Sequence, residues 1–238
     1  MPTTDLRLLS VSELASRPRL GQDFFERPVL TVAKECIGKI LVHASDAGVV
    51  AGRIVEAEAY RGPADRAAHS WRGKPTARTA AMFGPGGHVY MFFIYGMHWQ
   101  FNIVTGGVGE PHAVLIRAVE PVAGVELMAE RRSLHPESPL LTNGPGKLCA
   151  ALGLEGSLYG ASMVTDTIHL LAAPRVRAAR SPRIGVDYAG AWASKPWRFF
   201  DANSRYVSPN RPGHRGLVPA RRQGVVRSPK TSKEACRR

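Results

Sequence analysis

Cysteine is scarce in this chain. Cys36, Cys149 and Cys236 are an odd number with no CxxC spacing, which argues against a disulfide framework and a cysteine-rich zinc site and suits a reducing compartment. Long apolar runs are missing too. The most apolar-aromatic stretch, "VYMFFIY", is far too short to cross a bilayer. The opening "MPTTDLRLLSVSELASRPRL" lacks the basic-then-apolar order of a signal peptide. Acidic residues are in deficit, with 19 Asp and Glu against 32 Lys and Arg. The expectation is an intracellular protein without a membrane partner, in the cytoplasm or nucleoid, or in the nucleus of a eukaryote. Several nucleotide and hydrolase signatures are also absent. "NGPGKL" has Leu141 and Leu148 where a phosphate loop needs Gly and Ser/Thr, "GPGGHV" is not GxGxxG, and neither HExxH nor GxSxG occurs. His69, His88, His98 and His112 are scattered without ligand spacing, so no metal is expected.

What is present begins with uneven charge. Residues 203–238 hold ten Lys/Arg and one Glu, while residues 1–202 hold 22 Lys/Arg against 18 Asp/Glu. A tail of Arg, Pro, Ser and Gly cannot bury enough apolar surface to fold alone. It fits a polyanion, nucleic acid first and an anionic membrane second, or serves as a solubilising extension. The division expected is a folded domain at 1–202 and a basic, disordered tail at 203–238.

Within the body, 238 residues suffice for a sizeable core, and no internal repeat is visible. "DFFERPVLTVAKECIGKILVH" reads as a helix capped by Asp23 that runs into a strand. "KILVH" and "VVAGRIVEAEAY" form two strands around "ASDAG". "HVYMFFIYGMHWQFNIVTG" reads as a hairpin with Tyr95 and Gly96 near its tip, and "HAVLIRAVEP" as a central strand. "PVAGVELMAERRS" and "GPGKLCAALGL" read as helices. "TIHLLA", "RVRAAR", "PRIGVDY" and "WRFF" read as short strands or extended loops. Hairpin-linked strands with helices in separate blocks predict an α+β domain with a mainly antiparallel, curved sheet, flanking helices and a protruding hairpin.

Three features carry chemistry. By strand alternation Ile54, Glu56, Glu58 and Tyr60 share one face, so both carboxylates point into one volume. This is either a solvated strand face or a cleft in which a carboxylate activates water. Arg117 lies among apolar letters and, being always charged, demands a carboxylate or phosphate. Beside a glutamate it keeps that carboxylate ionised, as a catalytic aid or as a structural ion pair. The tip "FFIYGMHW" puts large apolar groups at a turn, suited to a core hairpin or to a wedge in a base stack. Asn102 is a polar letter inside an apolar strand.

The blocks "RIVEAEAYRGPADRAAHS", "MFGPGGHVYMFFIYGMHWQFNIVTG", "AVLIRAVEP", "NGPGKLCAALGL" and "RIGVDYAGAWASKPWRFF" together resemble the alkyladenine (3-methyladenine) DNA glycosylases of the MPG type, in order from about residue 24 to 200. The resemblance implies a single α+β domain with no metal, no cofactor and no lyase step. It implies a monomer that acts on double-stranded DNA carrying a damaged purine. Glu58 resembles the catalytic glutamate and Arg117 the arginine that helps hold water and the extruded nucleotide. Tyr60 and His69 resemble residues around the extruded base. Tyr95 resembles the tyrosine inserted into the duplex, with Met97 beside it. Asn102 resembles the asparagine that rejects the guanine 2-amino group. Phe92 stands where some members have a second pocket tyrosine, so stacking is kept and a hydroxyl contact is lost. Glu56 takes a supporting role. The competing readings are a non-enzymatic damaged-DNA-binding protein and a small-molecule glycosidase or nucleosidase.

Overall fold

The computed structural model describes residues 8–209. Most of the basic tail therefore lies outside the described residues. The chain opens with α1 (Val11–Ala15), closed by a capping box between Ser10 and Glu13. It continues through α2 (Gln22–Phe25) and α3 (Val29–Cys36) into β1 (Ile40–Ser45) and β2 (Gly48–Tyr60). The single helix expected around Asp23 is two helices. Pro28 disfavours helical backbone at Arg27 and instead stands at the N-cap of α3. Asp23 falls inside the first turn of α2, and Gly21 is the N-cap.

The strands β3 (Val89–Ile94), β4 (His98–Thr105) and β5 (His112–Ala123) follow, then α4 (Val125–Arg132) and α5 (Pro145–Leu152). The order closes with β6 (Ile168–Leu171), β7 (Ala179–Ser181) and β8 (Arg198–Phe200). The segment "PRIGVDY" is loop running into a short 3-10 helix at Asp187–Trp192. All pairings are antiparallel, in the order β3-β4-β5-β2-β1-β6. Beyond its pairing with β1, the far half of β2 takes β8 on its free edge, matching Glu56 to Phe200 and Glu58 to Arg198. The result is the α+β domain that the sequence predicts, with an antiparallel sheet curled as a half-barrel.

One face of the sheet packs on the helices. Ala57, Ala59, Val89, Met91, Phe101, Ile103, Val114 and Ile116 join Val32 and Cys36 of α3, Met128 of α4, and Leu148 and Leu152 of α5 in one buried cluster. Alternation turns the intervening residues to the opposite face, which carries the candidate site.

Two irregularities break the alternation there. Val55 has no partner between Ile54–Val119 and Glu56–Ala118, and Arg117 none between Glu56–Ala118 and Ala57–Ile116. These are paired bulges, one in each strand, and each shifts the side-chain phase by one residue. Ile54 consequently belongs to the helix-side core with Ala57 and Ala59. This corrects its expected place on the glutamates' face. Val55 and Ala118 turn the other way, onto Tyr206.

Candidate active site

Arg117 occupies the unpaired position of β5, and its guanidinium reaches both glutamates of β2. Its Nε donates to Glu56 Oε1 at 3.0 Å and its NH1 to Glu58 Oε2 at 3.2 Å. Both glutamates are fully buried, and Arg117 is 8% exposed. Burial alone opposes the charge on Arg117, but the two carboxylates outweigh it and raise its pKa above the ordinary arginine value.

The two carboxylates differ in what holds them. Glu56 accepts from Arg117 Nε, Arg198 Nε (2.7 Å) and the Ser208 hydroxyl (2.8 Å) on Oε1, and from the Ser208 amide (2.7 Å) on Oε2. Burial pushes its pKa up, yet Arg117, Arg198 and these hydrogen bonds together hold it below the ordinary carboxylate value. Glu58 accepts the Ile184 amide on Oε1 at 2.8 Å, and the Tyr60 hydroxyl at 2.9 Å and Arg117 on Oε2. An ionised carboxylate offers about four acceptor sites, so one remains on Glu58. Burial and then the Glu58 charge push the Tyr60 pKa well above its usual value, so the phenol stays a donor.

In front of this network lies a cavity of about 730 Å³. Arg117 and Tyr60 line it, while Glu58 stands one layer behind them. His69, Phe92, Tyr90, Asn102 and Met82 form other parts of the wall. The His69 ring packs edge-on to Phe92 at 4.5 Å, and its Nδ1 meets the Tyr90 hydroxyl at 2.9 Å. That ring opens to the cavity, but burial within the cleft, and then the charge of Arg78, push its pKa down to about 4. It is uncharged at neutral pH. Asn102 is buried, with its amide nitrogen donating to the Tyr90 carbonyl at 3.1 Å. Burial also pushes the Tyr90 phenol up to about 12.

Tyr95 and Met97, from the turn between β3 and β4, complete the lining at its outer edge, where they are 65% and 66% exposed. Tyr95 has φ +56, a conformation that costs a bulky residue energy. All eight residues proposed from sequence thus meet around one cavity, Glu58 as the concealed member.

Several supporting residues carry no such sequence signal. Arg183 forms a fully buried pair with Asp65 (2.5 and 3.0 Å), donates to the Ala59 carbonyl and lies 4.7 Å over the Tyr60 ring. It thereby ties the loop after β2 to the segment that presents the Ile184 amide. That amide is a backbone group, which no residue pattern announces. Arg198 was findable, since it is an arginine between aromatic letters as Arg117 is between aliphatic ones. Among the described residues no group of three His, Cys, Asp or Glu gathers around a common point.

Comparison with known proteins bears on what such a site does. A family profile described as methylpurine-DNA glycosylase (MPG) matches residues 23–205. The chain belongs to this family. It is a DNA N-glycosylase, a hydrolase whose substrate is DNA. A protein of Desulfitobacterium hafniense (strain Y51) is 46% identical over 199 residues, covering 80% of this chain and 98% of its own. One of Methanocella arvoryzae is 46% identical over 198 residues, covering 82% and 98%. One of Bacillus thuringiensis is 44% identical over 197 residues, covering 78% and 96%. All three carry the provisional name 3-methyladenine DNA glycosylase. The glycosylase profile spans the site from Glu56 to Arg198, with Ser208 just beyond its end, and no helix among the described residues is long and apolar enough to cross a membrane.

Proposed function

We propose that the protein excises alkylated or deaminated purines, 3-methyladenine among them, from double-stranded DNA by extruding the nucleotide and hydrolysing its N-glycosidic bond. The observation that carries this reading is the placement of Arg117. It bridges two buried glutamates at the back of a cavity large enough for a nucleotide, and the cavity's edge bears an exposed tyrosine.

Extrusion costs a few kcal/mol of stacking and pairing, least at a damaged base. Tyr95 enters the vacated stack with Met97 beside it and slows the return of the nucleotide. The extruded base lies among Tyr60, His69 and Phe92. A cationic alkylpurine gains from the aromatic faces and meets no repulsion from His69, which is neutral above about pH 4. Asn102 is tied to the Tyr90 carbonyl, so its side chain does not yield to an exocyclic 2-amino group, which disfavours intact guanine.

Water is accepted at the free site of the Glu58 carboxylate, with the Arg117 guanidinium adjacent. As the bond between C1′ and the base nitrogen lengthens, its electron pair leaves with the base. Positive charge builds on the sugar, in front of the Arg117 and Tyr60 wall behind which Glu58 is buried. The water oxygen bonds to C1′ and its proton passes to Glu58. A cationic alkylpurine departs neutral, so a single carboxylate base suffices; a deaminated purine, neutral beforehand, leaves with the electron pair as an anion and takes up a proton from water. The products are a free base and an abasic site. All the groups used come from one chain, which acts as a monomer in the compartment that holds the DNA.

Incubation with duplexes containing 3-methyladenine, hypoxanthine or ethenoadenine, followed by alkali, tests the reading. Strand cleavage at the lesion is expected in at least the 3-methyladenine duplex. Binding without cleavage in all three would contradict it.

A further inference from the structure

The reaction as read above does not use residues 201–209, yet this stretch ends against the carboxylate behind the site. Asp201 fixes its start. Its amide donates to the Val55 carbonyl at 2.9 Å, and its carboxylate accepts from Arg53 at 3.1 Å and from the Asn203 amide at 3.1 Å. Tyr206 is then buried on Val55 and Ala118, the two residues that the paired bulges turn toward it. Ser208 follows and meets Glu56 twice, through its amide at 2.7 Å and its hydroxyl at 2.8 Å. Arg198 closes the arrangement, donating to Glu56 at 2.7 Å and to the Ser208 carbonyl at 3.4 Å. Ser208 and Pro209 themselves face the cavity.

Arginine's guanidinium is a rigid plane, so whatever holds Nε also aims NH1. Glu56 holds the Nε of Arg117, and the NH1 of the same plane stands 3.2 Å from Glu58. Both arginines pull on one oxygen of Glu56, Oε1. That leaves the carboxylate free to turn about its own axis unless Oε2 is held as well. The Ser208 amide holds Oε2, and the Ser208 hydroxyl fills the remaining place on Oε1.

We propose that Ser208 is a positioning residue for base release, holding Glu56 so that Arg117 and, through it, Glu58 keep their places. Residues 201–209 are then a strap belonging to the catalytic body and not the beginning of the basic tail. This inference rests on the reading of Glu58 as the base.

The test uses the full chain with Ser208→Ala, Ser208→Thr and Glu58→Gln, and enzyme in excess over a lesion-bearing duplex. Affinity is measured separately on a duplex with a non-cleavable abasic analogue, and thermal midpoints are recorded. Ser208→Ala should slow single-turnover release about tenfold, the size of one lost hydrogen bond to a charged group, with affinity unchanged. Ser208→Thr keeps the hydroxyl and should restore the rate. Wild-type release by Ser208→Ala, or equal slowing by both variants, would overturn the role, as would a rate loss explained wholly by unfolded protein. Should Ser208→Ala fail to fold, Ser208→Cys replaces it and must release base more slowly than wild type and Ser208→Thr, because a thiol is a weak donor; release at the wild-type rate would overturn the role. If Glu58→Gln releases base normally, the reading of Glu58 falls. If Glu58→Gln is inactive while Ser208→Ala matches wild type, only the positioning role falls.

Discussion

Glu56 shows how strongly one buried side chain can depend on its donors. It is fully enclosed, and four hydrogen bonds, two of them from arginines, keep it ionised. Its folded pKa lies below the ordinary 4.5. The stabilisation it contributes is therefore complete above that pH and is lost as the pH falls through the folded value. Glu56→Gln should be less stable than wild type at neutral pH by about 3 kcal/mol or more, because two buried guanidiniums lose a shared anion. The gap should narrow below pH 4.5, which thermal midpoints measured from pH 7 to pH 3 would reveal; parallel curves would refute it. At this scale Arg117 was legible because a permanent charge among aliphatic letters requires a partner, and the alternating glutamates supplied candidates. Ser208 was not. Its neighbours Arg205, Pro209 and Arg211 are the letters of a basic tail, and nothing local reveals a hydrogen bond to a residue 152 positions earlier.

The element proposed to meet the duplex is the β3–β4 hairpin. Its strands pair in unbroken register from Val89–Ile103 to Ile94–His98, so the fold does not depend on the side chain at the turn. Tyr95 nevertheless keeps φ +56 and stands 65% exposed. Tyr95→Gly should hold or raise stability, by up to about 1 kcal/mol, because glycine adopts that backbone conformation freely. The same change should slow release from duplex DNA while affecting a free nucleoside or an unpaired strand little. A variant that loses stability and keeps duplex activity would contradict the wedge. Hairpin, central strand and the helices after it were readable from alternation, apolar spacing and turn residues. The paired bulges were not. Strict alternation put Ile54 beside Glu56, and only the register with β5 shows that Val55 and Arg117 are each the extra residue. Likewise, helical spacing ran on through Arg27–Pro28, where proline forces a break between α2 and α3.

Across the whole molecule, charge is the property that sequence conveys best, because it needs no coordinates. Residues 210–238 contain nine Lys/Arg and one Glu. Deleting them should flatten the dependence of DNA affinity on salt, since fewer phosphate counterions are released, and should leave the choice of lesion unchanged. An equal slope with and without the segment would make it irrelevant to DNA. The cut belongs after Pro209 and not at the charge boundary after residue 202, because Tyr206 and Ser208 pack on the body. The antiparallel half-barrel and the cavity that holds the site follow from pairings far apart in sequence, whose strands are legible in the letters but whose neighbours are not. The central claim is that Glu58, behind that cavity, activates the water that displaces the base. Single-turnover release of 3-methyladenine from a duplex by Glu58→Gln tests it most directly, with affinity for the duplex measured alongside. The account predicts that release falls by about two to four orders of magnitude while affinity persists. Release at the wild-type rate would contradict it.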